Sequence, residues 1–179
     1  MRTKNLDWAL HWFRRDLRMA DNAVLARLAA QSSGKVLGLV CLDPLIRSRA
    51  DFSADRFFFY LKSVQALQEK LRKLGGDLLV LEGAPAGSDG VFARLFAALD
   101  RAGISRPASV SWNRDYEPYA RRRDAAVLNL LQKHFRTVAE SSRDYLVLDS
   151  NDRSDSTGGR RRCSAGARFI SRQDRVLRP

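Results

Sequence analysis

Charged side chains directly follow the first apolar run of the chain. The run "WALHWF", residues 8–13, has the length and composition of a buried β-strand. Charge at the end of a buried strand is costly unless it is paired or contacts a ligand. Two roles fit these side chains: a turn that clamps the strand end against its neighbours, or contact with an anion. The residues of this strand-end network are Arg14, Arg15, Asp16, Arg18, Asp21 and Asn22.

In the clamp role, short polar side chains satisfy the backbone of the turn. Asp16 and Asp21 are expected to accept hydrogen bonds from backbone N–H groups, and Asp21 or Asn22 is expected to cap the following helix. Other polar segments also follow apolar runs, namely "LDP", "EGAP" and "NRDYEPY". Because the carboxyl ends of parallel strands share one edge of a sheet, these segments are expected to cluster there.

Apolar runs alternate with helical periodicities along the main body of the chain. After the first strand, strands are predicted at "KVLGLVCLD", "DLLVLEG", "ASVSWN" and "RTVAE", and helices at residues 22–30, 53–74, 89–102 and 118–135. The long second helix is capped by Ser53, ends at Gly75 and Gly76, and carries an apolar stripe. This alternation predicts an α/β fold with a parallel sheet of about five strands. The stripe residues are Phe57, Leu61, Val64, Leu67 and Leu71.

Composition limits the possible classes of function. The chain has 179 residues, a formal net charge of +12, two cysteines and two histidines. Neither a disulfide framework nor a metal site is indicated, and no Gly-x-Gly-x-x-Gly or Walker motif suggests a nicotinamide or P-loop nucleotide. No apolar run is long enough to cross a membrane, so we expect a soluble, cytoplasmic protein.

The pattern changes after residue 149. Residues 150–179 are rich in Arg, Ser and Gly, and eight arginines lie between Arg153 and Pro179. We expect residues 1–149 to form one α/β domain and residues 150–179 to form an irregular tail. The tail arginines, such as Arg160, Arg161 and Arg162, are expected to bind nucleic acid weakly and without sequence preference.

Four blocks of sequence resemble one protein family. In order, "WFRRDLRMADN", "CLDP", "SADRFFFYLKSVQALQEKLRKLGGDLLVLEG" and "WNRDYEPYARRRD" resemble the amino-terminal α/β domain of the DNA photolyase and cryptochrome family. The resemblance covers residues 6–148. With the alternation of elements, it implies a three-layer, Rossmann-like, doubly wound sheet of five parallel strands in the order 3-2-1-4-5, with helices on both faces.

The resemblance also implies what a family member needs for activity. Family members join this domain to a larger helical domain that holds the catalytic FAD, and the family activity is that of a deoxyribodipyrimidine photo-lyase or a blue-light sensor. We expect the 179-residue chain alone to lack the catalytic FAD, catalytic residues and repair activity. A helical FAD domain, or self-association through an exposed interface, is the expected partner. A truncated or frameshifted remnant is a further interpretation of the chain.

Many family members bind a light-harvesting antenna chromophore over the strand ends of this domain. The positions that match a flavin or deazaflavin site are Val40, Cys41, Arg56, Asp115 and Glu117. Val40 and Cys41 are expected to form an apolar wall, Arg56 to donate to ring carbonyls or a phosphate, and the two carboxylates to accept hydrogen bonds. The alternative places Cys41 in the core and the charged residues in surface ion pairs.

Two features argue against other ligands. The Asn-Glu pair typical of folate-binding members is replaced by Tyr119 and Ala120, so a folate antenna is disfavoured. The run "ARRRD", residues 120–124, directs its arginines to different helix faces, so they do not form one surface for nucleic acid. An Arg121–Asp124 pair is expected there instead. Two functions therefore remain: an antenna-binding domain of a photolyase-like protein, or a nucleotide- or partner-binding module without a light function.

Overall fold

Strands and helices alternate through the computed structural model, which describes residues 8–32, 35–83, 87–134 and 138–142. The strands are β1 (Ala9–Phe13), β2 (Val36–Leu42), β3 (Leu78–Glu82), β4 (Ser109–Asn113) and β5 (Val138–Ser142). The helices are α1 (Ala23–Gln31), α2 (Ala54–Lys73), α3 (Ser88–Arg101) and α4 (Pro118–His134). A short 3₁₀ turn, Pro44–Ile46, follows β2. Within the described ranges, no helix combines the length and apolar character needed to cross a membrane.

All pairings in the sheet are parallel. The first four strands lie in the order β3-β2-β1-β4, and β5 pairs along the free side of β4. The predicted α/β class, the parallel sheet and the order of the first four strands are therefore confirmed. Because the chain steps outward from β1 to β3 and then returns to β4, the strand order reverses between β1 and β4. The predicted tail, residues 150–179, lies outside the described residues.

The central strand β1 is buried on both faces. Leu10 and Trp12 enter a core cluster beneath α3 and α4, whereas Ala9 and Phe13 enter a second cluster beneath α1 and α2. This alternation follows from the two-residue repeat of a β-strand. It explains why the sequence of β1 is apolar throughout, apart from His11, rather than alternating.

Helix ends follow the predicted caps with small differences. Asn22, rather than Asp21, caps α1, since its Oδ1 accepts from the Leu25 N–H at 3.0 Å. Ser53 caps α2, and its Oγ accepts from the Arg56 N–H at 3.4 Å. Helix α3 begins one residue earlier than predicted, and β5 lies two residues later, because turn residues can join either neighbouring element.

Leu61 departs from the predicted stripe of α2. It is 36% exposed, whereas Val64, Leu67 and Leu71 are buried in the core. Near the start of the helix the inward position is taken by Tyr60, which packs against the same core cluster. The helix therefore contacts the sheet mainly through its second half.

The missing side chain of Gly38 leaves room on the face of β2 for the side chains of Leu78 and Phe13. A Cβ at this position would lie 2.7 Å from Leu78 Cδ1 and 3.1 Å from Phe13 Cε2. We predict that Gly38→Ala lowers the free energy of unfolding by about 1–3 kcal/mol through overpacking. Urea denaturation measures the loss. Adding Leu78→Val should recover part of it, and an unchanged midpoint in the single variant would contradict the tight packing.

Candidate functional site

A cavity of about 270 Å³ opens at the carboxyl edge of the sheet, over the ends of β1 and β2. The first turns of α2, α3 and α4 and the segment after β2 complete its wall. Its lining combines aromatic rings with arginines and carboxylates. The lining residues are Trp12, Arg14, Arg15, Cys41, Leu42, Asp43, Ile46, Arg49, Asp51, Phe52, Ser53, Arg56, Phe57, Tyr60, Ser88, Glu117, Tyr119 and Arg123.

A shared carboxylate lies behind the inner end of the cavity. Arg14 Nη1 donates to Asp124 Oδ1 at 2.5 Å, and Arg123 Nη2 donates to the same oxygen at 3.1 Å. Trp112 Nε1 donates to the other oxygen at 3.2 Å. Both guanidinium groups also lie over the Trp12 ring, at 5.2 and 5.0 Å from its centroid. Asp124 therefore joins β1, β4 and α4 and holds two cations against an indole.

A hydroxyl–carboxylate pair forms part of the wall. The Tyr119 O–H donates to Asp43 Oδ2 at 2.7 Å, and Ser88 Oγ donates to the same oxygen at 3.4 Å. Burial, reinforced by the hydrogen bond to Asp43, raises the pKa of Tyr119 to about 12. Tyr119 is therefore a neutral hydrogen-bond donor at neutral pH, and the buried Asp43 presents a carboxylate at the cavity.

The rim of the cavity carries a chain of ion pairs. Arg49 contacts Asp51 through two nitrogens, at 2.8 and 2.9 Å, and approaches Glu117 at 3.8 Å. Arg15 pairs with Glu117 and lies 3.6 Å from Asp115. These pairs connect the segment after β1, the segment after β2 and the start of α4. They are partly exposed, so each contributes modestly to stability.

Cys41 contributes a buried thiol to the wall of the cavity. The residue is 8% exposed, and burial raises the pKa of its thiol to about 12. The thiol is therefore neutral at physiological pH and acts as a small apolar group rather than as a nucleophile.

The structure brings together only part of the predicted chromophore site. Cys41, Arg56 and Glu117 line the cavity, whereas Val40 and Asp115 do not. Because neighbouring residues of a strand point to opposite faces, Val40 packs into the core beneath α1 and α2. The Asp115 carboxylate instead faces Arg15.

The strand-end network combines local turn contacts with contacts to neighbouring segments. Asp16 accepts from the Arg14 N–H at 3.0 Å and from the side-chain amide of Asn113. Asn22 Nδ2 donates to the Arg18 carbonyl oxygen at 3.3 Å, and Arg18 Nε donates to the carbonyl oxygen of Asp21 at 3.3 Å. Local turn contacts are thus present, but Arg14 and Arg15 reach across to α4 and its preceding loop.

The expected Arg121–Asp124 pair is absent from the described ion pairs. Asp124 faces inward from α4 and contacts Arg14 and Arg123, whereas Arg121 is exposed. The buried Arg14 provides a better-shielded partner than a solvent-exposed side chain. Of the "RRR" run, only Arg123 therefore belongs to the cavity.

Sequence reasoning missed several residues of the cavity wall. Asp43, Arg49, Tyr119 and Arg123 were not among the predicted chromophore contacts, and Trp12 was expected only as part of the buried strand at residues 8–13. The "LDP" segment, which follows a buried strand, was the sequence signal that could have identified Asp43. No local pattern pairs Asp43 with Tyr119, which lie 76 positions apart in the sequence.

The comparisons with known proteins agree with this architecture. Residues 9–162 match the DNA photolyase family. A deoxyribodipyrimidine photo-lyase of Synechococcus sp. is 38% identical over 123 residues, covering 69% of this chain and 23% of that protein. Cryptochrome-2 of Gallus gallus is 33% identical over 142 residues, covering 79% of this chain and 23% of that protein.

A solved structure extends the comparison. The crystal structure of a bacterial class III photolyase from Agrobacterium tumefaciens matches with a TM-score of 0.60 and 25% identity, over 75% of this chain and 25% of that chain. The chain thus spans about a quarter of the length of these relatives. The family match also passes residue 149 and enters the predicted tail.

Asp124 provides a direct test of the cavity's inner end. We predict that Asp124→Asn lowers the free energy of unfolding by about 3–5 kcal/mol, because it leaves the buried Arg14 without its ion-pair partner. Urea denaturation measures this loss. The control is Asp100→Asn, which breaks an exposed pair with Arg106 and should cost less than about 1 kcal/mol. Equal losses in the two variants would refute the role of Asp124.

His11 provides a pH-dependent test. It is fully buried between Ser111 and Asn22, and burial lowers its pKa from 6.5 to about 4. In the unfolded chain the His11 imidazole is protonated below about pH 6.5, whereas in the folded chain it is protonated only near pH 4. The free energy of unfolding therefore decreases as the pH falls from 6.5 to 4.

We predict that, between pH 7 and 4.5, the wild type loses about 2–3 kcal/mol more stability than His11→Gln. Chemical denaturation at each pH measures the difference. Parallel curves for the wild type and His11→Gln would contradict the buried neutral imidazole.

Proposed function

Because the chain belongs to the DNA photolyase family, we propose that its cavity binds an antenna chromophore, a flavin or deazaflavin, within the light-driven DNA repair or blue-light sensing lineage. The observation that carries the proposal is the cavity over β1 and β2, where Cys41, Arg56 and Glu117 meet. Ligands of doubly wound folds bind at this carboxyl edge of the sheet.

The apolar part of the lining suits a flat ring. Trp12, Cys41, Phe57 and Tyr60 contribute to the wall, and the Phe57 and Tyr60 rings stack with centroids 6.5 Å apart. Burial of an aromatic ring against such groups is the main favourable term for a ligand of this type. The neutral Cys41 thiol adds apolar contact without a reactive charge.

The polar part of the lining suits the edge of the same ring. A flavin ring carries both carbonyl acceptors and an N–H donor. The cavity offers acceptors at the Asp43 and Glu117 carboxylates and donors at the Arg56 guanidinium. Polar groups placed beside aromatic rings are a usual means by which a protein orients a cofactor ring.

The size of the cavity favours a ligand with one ring system. A volume of about 270 Å³ lies near the lower end of the range of about 300–1,000 Å³ for small-molecule sites. It matches one fused ring system with a short side chain better than a dinucleotide. The proposed ligand is therefore an antenna of the size of riboflavin or a deazaflavin rather than a dinucleotide such as FAD.

We predict that riboflavin binds the wild-type chain and that Cys41→Leu weakens binding about tenfold or more, because the larger side chain fills the cavity. Cys41→Ala is the matched control and should retain wild-type affinity. Fluorescence anisotropy of the flavin measures the dissociation constants, and thermal melts verify folding of both variants.

Equal affinity in the leucine and alanine variants would place the ring elsewhere on the protein. If neither riboflavin nor a deazaflavin bound the wild type, the antenna function would be rejected. A nucleotide- or partner-binding module without a light function, or a truncated remnant, would then be the remaining interpretations of the chain.

A further inference from the structure

Strand β3 forms one edge of the sheet, and no strand of the described part of the chain lies on its outer side. The Gly83 N–H, directly after β3, donates to the Leu42 carbonyl oxygen of β2 at 2.7 Å. Because successive residues of a parallel strand direct their backbone groups to opposite sides, every second residue counted from Gly83 faces β2. The N–H and C=O groups of Leu78, Val80 and Glu82 therefore point away from the sheet.

Side chains cover both ends of this outer row of backbone groups. The Leu78 N–H donates to Asp77 Oδ1 at 2.7 Å, and Gln68 Nε2 donates to the Leu78 carbonyl oxygen at 2.9 Å. At the other end, Arg94 Nη2 donates to the Glu82 carbonyl oxygen. Among the outward-facing residues of the described strand, only the central one thus offers both an N–H and a C=O to another chain.

Exposed apolar side chains lie beside that central residue, Val80. Its side chain is 37% exposed, and Leu61 and Phe58 of α2 are 36% and 61% exposed. Gln68, two turns after Leu61 on the same face of α2, contacts Leu78, so this face of the helix runs along β3. Val80, Leu61 and Phe58 are called the edge patch below. Exposed apolar groups beside open backbone groups are typical of an interaction surface.

The two ends of β3 carry complementary charges. At its amino-terminal end, Arg72 Nε lies 3.3 Å from Asp77 Oδ1, and the Arg72 side chain is half exposed. At its carboxyl-terminal end, Glu82 lies 3.4 Å from Arg47, and its side chain is 69% exposed. An antiparallel pairing of two such strands places the cationic Arg72 of each copy near the anionic Glu82 of the other.

We infer that a second copy of this chain docks on the edge patch, with the two β3 strands antiparallel about a two-fold axis at Val80. Each Val80 donates its N–H to the Val80 carbonyl oxygen of the other copy. One open residue is sufficient here, because a two-fold axis uses the same residue twice. An unrelated extended peptide instead requires a longer row of open backbone groups. Both α2 helices lie on one face of the joined sheet, where Leu61 and Phe58 of the two copies approach each other.

The first test measures the mass of the full chain in solution by sedimentation at increasing concentration. We expect a monomer–dimer equilibrium, and Val80→Lys should raise its dissociation constant about tenfold or more, because a lysine at an edge strand opposes pairing. Phe59→Lys is the matched control. Phe59 is 73% exposed on the same helix, but it lies about 100° around the helix from Phe58. This variant should dimerise within about twofold of the wild type.

The second test locates the two-fold axis with a disulfide. Paired residues across an antiparallel strand pair have Cα atoms about 5.5 Å apart, within the range that a disulfide spans. In a Cys163→Ser background, Val80→Cys should therefore form a cross-linked dimer when diamide is added as oxidant, whereas Phe59→Cys should remain monomeric. The buried Cys41 thiol, whose pKa is raised to about 12, does not compete.

Thermal melts verify that the variants fold, which is expected because Val80 and Phe59 are exposed. A wild-type chain that stays monomeric up to about 1 mM would overturn the inference. Assemblies that grow beyond the dimer would overturn the two-fold arrangement, since a closed contact stops at two copies. Equal cross-linking of Val80→Cys and Phe59→Cys, or an unchanged dimer in Val80→Lys, would remove the edge patch as the interface. None of these outcomes depends on a chromophore in the cavity.

Discussion

The architecture of the cavity depends on one carboxylate that serves three donors. Asp124 binds the guanidinium groups of Arg14 and Arg123 and the indole N–H of Trp112. Burying Arg14 without this acceptor would be costly, so the position of α4 relative to β1 and β4 is tightly constrained. With α4 fixed, Tyr119 reaches Asp43 across the cavity, and the inner wall acquires a defined pattern of donors and acceptors.

Two side chains of the site that could act in acid–base or nucleophilic chemistry are held in their neutral forms. Burial keeps the Cys41 thiol and the Tyr119 hydroxyl protonated at neutral pH. Most of the guanidinium groups are neutralised by carboxylates, which lowers the cost of placing several cations around an apolar space. Arg56 is the exception, since it has a backbone contact but no ion pair within the described residues.

The positions of the strands and the capping of the helices could be predicted from sequence because both depend on local patterns, whereas the order of the strands was implied by the family resemblance. Apolar runs at the period of a strand, and Ser53 before an amphipathic stretch, are visible within a few residues. The face of Val40 also follows from strand alternation, but only once the register of β2 is known. The Asp43–Tyr119 contact depends on tertiary packing, and no local pattern encodes it.

The long sequence separation of these contacts has a consequence for the order of folding. Arg14 and Asp124 are 110 positions apart, and Tyr119 and Asp43 are 76 apart. Closing such loops costs chain entropy before any contact compensates for it, which slows the formation of distant pairings. During synthesis, β1 and β2 emerge well before the residues of α4 that complete the wall. The arginines of the amino-terminal part of the chain therefore remain solvated until α4 has emerged and the cavity can form.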